Sequence, residues 1–266
     1  MSDRYAEIFA RARREGRPAL IPYVMAGDPD AETTLAVVRA LGEAGADAVE
    51  LGIPYSDPLA DGPTIQAAAQ RALEGGISFE GVLDLIDRLG GEGRVPLIAF
   101  GYANPVERYG HARFAARLAA AGALGAIVPD LPFEECDALR SDLRARGLGL
   151  TQLVAPTTSI DRAASIAAAS DGFLYVVSRM GVTGAGGLDP APVVEQVRLL
   201  RKVTGLPLAV GFGISKAEHV EAIGSVADGV IVGSALIDAI VGRRASDAAA
   251  AARAFVASLK IAARKA

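Results

Sequence analysis

The chain has 266 residues, of which 51% are hydrophobic, so it is long enough to bury a large core within a single domain. Its net charge of −4, with charged residues spread along the chain, argues against a basic surface for nucleic acid or anionic membranes. The one cysteine, Cys136, cannot form an intramolecular disulfide, and no apolar run reaches the ~20 residues that span a bilayer. We therefore expect a cytosolic protein that binds small molecules or protein partners.

The predicted elements alternate between strand and helix along the whole chain. Residues 1–16 have an amphipathic helical pattern, and eight short aliphatic runs without polar alternation follow, as is typical of parallel strands buried on both faces. These runs are "ALIPYVMAG", "DAVELGIP", "PLIAFGYA", "GAIVPD", "LGLTQLVAP", "FLYVVS", "LPLAVGFG" and "GVIVGSAL". Helical patterns separate them, several ending in glycine.

Eight such β–α units of roughly 30 residues each, with no linker between them, predict an α/β fold. We expect a (β/α)8 TIM barrel that forms a single domain over residues 1–266, with an extra N-terminal helix. An open doubly wound sheet is the alternative. The barrel matters for function because its active site is built at the C-terminal ends of the strands.

Two acids stand out in "ELGIPYSDPLADGPTIQ", residues 50–66. Glu50 falls near the C-terminal end of the second strand, where burying a carboxylate costs several kcal/mol unless partners satisfy it. It is either a proton-transfer group with a raised pKa or an outward-facing residue in an ion pair. Asp61 lies in a proline-stiffened loop and is either a fixed functional carboxylate or the cap of a helix that begins near Pro63. Asp57 has the same ambiguity.

Glycines mark the ends of the last two strands. Gly211 and Gly213 in "VGFGIS", and Gly233 and Ser234 in "VGSAL", fall where barrels bind phosphate through backbone N–H groups. Either motif alone could be an ordinary turn.

Residues 178–190, "SRMGVTGAGGLDP", predict a glycine-rich lid, with a flexible surface loop as the alternative. Tyr175, in the sixth strand, either offers its hydroxyl to the pocket or only packs.

The predicted strands contain no lysine and the sequence shows no cluster of metal ligands, which limits the reaction mechanisms that the chain could use. None of the four lysines lies in a predicted strand, which argues against an imine mechanism or a covalently bound pyridoxal cofactor. The two histidines, His111 and His219, lie far apart in helical segments without a matching ligand cluster, so a catalytic metal is not expected. Metal-free acid–base chemistry on a phosphorylated substrate remains.

The motifs "ELGIPYSDPLADGPTIQ", "SRMGVTGAGG", "GFGIS" and "GSAL", in this order, resemble those of the tryptophan synthase α subunit family. The resemblance runs from "YAEIFARARREGRPALIPYVMAGDP" to the last helix. It implies a (β/α)8 barrel that cleaves indole-3-glycerol phosphate to indole and glyceraldehyde 3-phosphate in a retro-aldol reaction. No cofactor is implied, because protonation at the third carbon makes the indole ring the electron sink.

The resemblance also implies residue roles. Glu50 would be the acid–base group, Asp61 would stabilise the positive charge at the indole nitrogen, and Tyr175 would lie beside Glu50. The remaining roles fall into two groups. The phosphate contacts would be Gly184, Gly213, Gly233 and Ser234, with Gly211 shaping their loop, and the indole pocket and lid would comprise Phe100 and Tyr102 on the third strand, Phe212 and Thr183.

A partner is implied as well. In this family the barrel docks on a pyridoxal-phosphate-dependent β subunit in an αββα complex, and indole passes through a tunnel. Asp57 and Asn104 match segments that contact the partner. Met25 and the "AFGYANPVERYG" stretch depart from the usual pattern.

Three other functions stay open from the sequence. The chain could be a free-standing indole-3-glycerol phosphate lyase, a barrel isomerase of another phosphosugar, or a non-catalytic phosphate-sensing subunit that switches a partner. The long first motif argues against the isomerase, and the retained pair of acids argues against lost catalysis.

Overall fold

A computed structural model of the chain describes residues 3–178, 190–211 and 213–263. Within these ranges, eight parallel strands close into a barrel, each paired with the next and β8 paired with β1. The strands are β1 Ala19–Met25, β2 Val49–Gly52, β3 Leu97–Phe100, β4 Gly125–Ile127, β5 Gly149–Val154, β6 Leu174–Val177, β7 Leu208–Gly211 and β8 Gly229–Val232. The predicted (β/α)8 barrel is confirmed, and each of the eight aliphatic runs contains one strand.

Helices surround the strands and cover their outer faces. They are α1 Asp3–Arg14, α2 Ala31–Ala44, α3 Pro63–Glu74, α4 Phe79–Glu92, α5 Ala103–Tyr109, α6 His111–Ala120, α7 Asp137–Arg144, α8 Ile160–Ala169, α9 Pro190–Leu200, α10 Ala217–Gly224, α11 Ser234–Ile240 and α12 Ala245–Ala263. The extra N-terminal helix is α1. A glycine with positive φ caps α2 at Gly45, as the pattern predicts. The pattern of α4 ended at Gly90, but the helix continues to Glu92 and its cap is Gly93.

Helix α1 seals the N-terminal end of the barrel. Tyr5 and Phe9 are buried, and their ring centroids lie 5.9 and 5.7 Å from that of Phe173, just before β6. Arg17, after α1, makes two hydrogen bonds to the Asp47 carboxylate, at 2.5 and 3.0 Å. Asp47 also accepts from the Leu20 N–H at 2.9 Å, so it ties the first two β–α units together at the end opposite the expected site.

We predict that Asp47→Asn lowers the free energy of unfolding by about 3 kcal/mol, because it removes the buried anion paired with Arg17 and leaves that guanidinium only the more exposed Glu15. Burial alone would raise the pKa of Asp47, but the hydrogen bonds from Arg17 and Leu20 dominate and hold it below its usual value. The pair therefore adds stability above pH ~4 that is lost as the carboxylate is protonated. Urea unfolding at pH 7 measures the loss. An unchanged midpoint and slope would show that the pair contributes nothing.

Candidate active site

A pocket opens at the C-terminal end of the barrel. The lining comes from five strands and from the loops after β2, β7 and β8. Its residues are Tyr23, Glu50, Asp61, Gly62, Ile65, Phe100, Tyr175, Gly213, Ile231, Gly233 and Ser234. Of the residues predicted from the sequence, the pocket brings together Glu50, Asp61, Phe100, Tyr175, Gly213, Gly233 and Ser234.

Glu50 lies on β2 and faces this pocket. Only 1% of its surface is exposed, and its Oε1 atom has no hydrogen-bond partner. Burial raises the pKa of Glu50 well above its usual value. The alternative of an outward-facing, ion-paired residue is therefore wrong. A buried carboxyl with a raised pKa suits proton donation to a substrate.

Asp61 reaches the pocket from the loop between β2 and α3. The residue that caps α3 is Gly62, and no side chain caps that helix end, so the capping alternative is wrong. Burial raises the pKa of Asp61 to about 6, although a hydrogen bond from Tyr102 acts in the opposite direction. Gln66 Nε2, on α3, donates to the Asp61 carbonyl oxygen at 2.8 Å and fixes the loop. Asp61 is thus a partly desolvated carboxylate in a fixed loop, and it lines the same pocket as Glu50.

Tyr102 was expected on the third strand, but β3 ends at Phe100, so that placement is wrong. Tyr102 instead precedes α5, where its hydroxyl accepts a hydrogen bond from the Ala60 N–H at 3.1 Å. The same hydroxyl acts on Asp61 and lowers the pKa of that carboxyl. Tyr102 therefore holds the loop that carries Asp61 and is not among the residues that line the pocket.

The tyrosine on β6 uses space left by a glycine on β7. A Cβ added to Gly211 would lie 2.2 Å from the Tyr175 hydroxyl oxygen, so any larger residue there would displace the phenol. Burial, followed by the charges of Glu50 and Asp61, raises the pKa of Tyr175 well above its usual value. Tyr175 lines the pocket with a neutral hydroxyl. The alternative that this tyrosine only packs in the core is therefore wrong.

Three predicted phosphate contacts meet at the pocket rim. Gly213 follows β7 with a φ of 85°, a conformation that favours glycine. Gly233 follows β8, and Ser234 begins α11. The first N–H groups of a helix have no partner within it, so this rim can offer backbone donors to an anion. Gly184, Thr183 and Phe212 were also predicted, and they lie outside the described residues.

Known proteins are similar to this chain in sequence and in architecture. The family profile described as tryptophan synthase alpha chain matches residues 9–264. The tryptophan synthase alpha chain of Dechloromonas aromatica is 45% identical over 258 residues, which cover 97% of this chain and 96% of the relative. The tryptophan synthase alpha chain of Caulobacter vibrioides is 48% identical over 239 residues, 90% of this chain and 87% of the relative. The structure of Mycobacterium tuberculosis tryptophan synthase superposes with a TM-score of 0.90 at 38% identity, covering 98% of both chains.

The chain belongs to the tryptophan synthase alpha chain family. As a member of this family it is a carbon–carbon lyase, and it cleaves indole-3-glycerol phosphate in tryptophan biosynthesis. The alternative of an isomerase acting on another phosphosugar is therefore wrong.

This alpha-chain pocket contains residues that the sequence did not single out. Tyr23, Ile65 and Ile231 line it, and Gln66 anchors its loop. Tyr23 could have been found, since it is the one aromatic residue in the otherwise aliphatic β1 and is two residues from the strand's end. Met25, noted as a departure, is buried next to it and does not line the pocket.

An ion pair anchors the helix that follows the loop of Asp61. On α3, Arg71 makes a two-pronged ion pair with the buried Asp28 of the loop after β1, at 2.8 and 2.7 Å, and so holds the helix that follows Asp61.

Across residues 3–178, 190–211 and 213–263, no group of three or more acidic, histidine or cysteine side chains is placed to hold a metal ion. In the same ranges no helix is both long and apolar enough to cross a membrane.

Proposed function

We propose that Glu50 and Asp61 together carry the retro-aldol cleavage of indole-3-glycerol phosphate. The observation that supports this is that both acids line one pocket together with the glycine rim, as a substrate with a ring at one end and a phosphate at the other requires. Glu50 gives its proton to the third carbon of the indole ring, which places a positive charge on the ring nitrogen. Asp61, ionised, stabilises that charge.

The resulting carboxylate of Glu50 then takes the proton of the side-chain hydroxyl at the carbon attached to the ring. The carbon–carbon bond breaks, its electrons neutralise the ring nitrogen, and indole and glyceraldehyde 3-phosphate are released. The proton count balances, since Glu50 ends as it began. The cationic ring is the electron sink, so we propose that this chain needs no cofactor of its own.

The phosphate is held at the rim, in our proposal, by backbone N–H groups of Gly213, Gly233 and Ser234. These groups supply hydrogen bonds without a charged side chain, as is common after the seventh and eighth strands of such barrels. Gly184, Thr183 and Phe212 stay predictions as a further phosphate contact, a lid residue and an indole contact.

A partner surface lies beside the pocket. Leu59, 89% exposed, borders an apolar groove with Val128, Leu131 and Phe133 among its lining residues. Asp57 and Asn104, the predicted partner contacts, are both exposed on this side, and the rings of Tyr55 and Tyr102 join their two segments at 5.3 Å. We propose that the pyridoxal-phosphate-dependent β chain docks here in an αββα complex, and that the assembly works in the cytosol.

The proposal is tested by indole formation from indole-3-glycerol phosphate, measured with the purified chain alone and with a tryptophan synthase β chain. We expect slow release of indole by the isolated chain and a large acceleration in the complex. High turnover that the β chain leaves unchanged would indicate a free-standing lyase. Activation of the β chain without any cleavage would indicate a non-catalytic subunit.

Tyr102→Phe should move the acid limb of activity to higher pH. The Tyr102 hydroxyl stabilises the ionised form of Asp61, whose pKa of about 6 would rise without it. A hydrogen bond to a charged group is worth about 1.5–3 kcal/mol, so we expect a shift of about one to two pH units. Activity should therefore drop more at pH 6.5 than at pH 8. A uniform drop at all pH values would show that the tyrosine acts only on loop structure.

A further inference from the structure

Tyr23 is an aromatic residue in the pocket wall with no role assigned so far. It pairs in register with Glu50 on the neighbouring strand, and its residue surface is 5% exposed. Its ring packs edge-on against Phe100, with centroids 5.4 Å apart and an interplanar angle of 87°. This packing fixes the ring plane, so the position of the hydroxyl is determined by the strand.

The hydroxyl of Tyr23 occupies a space that a glycine provides. A Cβ added to Gly52, the last residue of β2, would lie 2.1 Å from that oxygen. Gly211 makes the same kind of space for Tyr175. Two phenols, from β1 and β6, therefore reach the pocket in the same way, each across the terminal glycine of a neighbouring strand.

The donor capacity of Tyr23 is poorly used in this structure. Its hydroxyl contacts the Met25 sulfur at 3.9 Å, and a thioether is a weak acceptor. Buried hydroxyls in proteins generally have a stronger partner. A much better acceptor, the carboxylate of Asp61, lines the same pocket. Burial raises the pKa of Tyr23 well above its usual value, and the charge of Asp61 is the next largest cause.

Asp61 has room for a further donor, since a carboxylate offers about four lone-pair sites. The titratable groups that act on Asp61 or share its pocket are Tyr23 from β1, Glu50 from β2, Tyr102 from the loop after β3, and Tyr175 from β6. The present acceptor of Tyr23, a thioether sulfur, is a weak one.

We propose that Tyr23 is a further positioning residue, whose hydroxyl donates a hydrogen bond to the Asp61 carboxylate from the barrel side when substrate fills the pocket. This inference rests on the proposed role of Asp61. Active-site hydrogen bonds are often long without substrate and tighten in the complex, so the contact with Met25 is the resting one. Tyr23 and Tyr102 then hold the ionised carboxylate from two sides and aim it at the ring nitrogen.

The test is the titration of Asp61 in the full chain saturated with indole-3-propanol phosphate, which lacks the hydroxyl needed for cleavage. Aspartate carboxyl carbons are labelled with ¹³C, and the Asp61 signal is assigned by its loss in Asp61→Asn. We expect Tyr23→Phe to raise the pH midpoint of this signal by about half a unit or more. Tyr109→Phe is the matched control, because its hydroxyl contacts Glu80 on the outer surface, and it should leave the midpoint unchanged.

Steady-state kinetics gives the second readout. Tyr23→Phe should lower kcat about 10-fold with little change in KM and move the acid limb upward. An Asp61 midpoint equal to that of the unsubstituted chain in Tyr23→Phe would overturn the inference, whatever the turnover. If the unsubstituted chain makes no indole, the proposed function fails, and the titration still decides the role of Tyr23.

Discussion

Glu50→Gln should reduce indole formation by about 10²–10⁴-fold while the affinity for indole-3-propanol phosphate stays nearly unchanged. Glutamine keeps the shape of the side chain but cannot give a proton to the ring carbon or take one from the side-chain hydroxyl. The proposed phosphate contacts, Gly213, Gly233 and Ser234, are backbone groups that the substitution leaves in place. Single-turnover rates and a binding titration separate the two effects.

We expect Glu50→Gln not to destabilise the protein, although it reduces activity. Because Glu50 is buried with an unpartnered oxygen, replacing it by glutamine should leave the thermal midpoint unchanged or raise it. A variant that loses both activity and stability would mean that Glu50 is a structural residue. A variant that retains near-normal indole release would remove Glu50 from the mechanism.

Asp61→Asn should lower kcat by about 10²–10³-fold, because the amide cannot offset the positive charge that forms on the ring nitrogen. It should also abolish the acid limb of the pH profile. In the proposed mechanism Asp61 acts as the carboxylate, so with a pKa of about 6 we expect activity to fall as pH drops through this value. The variant has no such group, so its residual activity should be flat there.

Asp57→Asn is the matched control for this prediction. It makes the same charge change in the same loop, but Asp57 is exposed and its carboxylate accepts a hydrogen bond from Ser56 at 2.7 Å. Measured on the isolated chain, it should leave both kcat and the acid limb in place. An equal loss in both variants would show that the loop's overall charge matters and not the Asp61 carboxylate at the ring.

The barrel could be predicted because its signals are local. Buried parallel strands produce short aliphatic runs, and each of the eight runs contains a strand. Helix α5 was not predicted, since "ANPVERY" is seven residues long and contains a proline. The stretch "FEECDALRSDLRARG", residues 133–147, has a helical pattern throughout, but α7 spans only Asp137–Arg144. Boundaries depend on tertiary packing, which local pattern does not encode.

The site was predictable only in part, for a different reason. Glu50, Asp61 and the strand-end glycines are unusual residue types for their positions, so the sequence marks them. The position of Tyr102 beside Asp61 depends on where β3 ends, and that of Tyr23 on the register between β1 and β2. Such relationships between strands appear only when the barrel is closed.

The most direct measurement is a crystal structure of the chain with indole-3-propanol phosphate. We predict the ring nitrogen within about 3 Å of the Asp61 carboxylate, Glu50 beside the third ring carbon, and the phosphate oxygens on the N–H groups of Gly213, Gly233 and Ser234. A ligand whose phosphate binds elsewhere, or whose ring lies away from Glu50, would contradict the account.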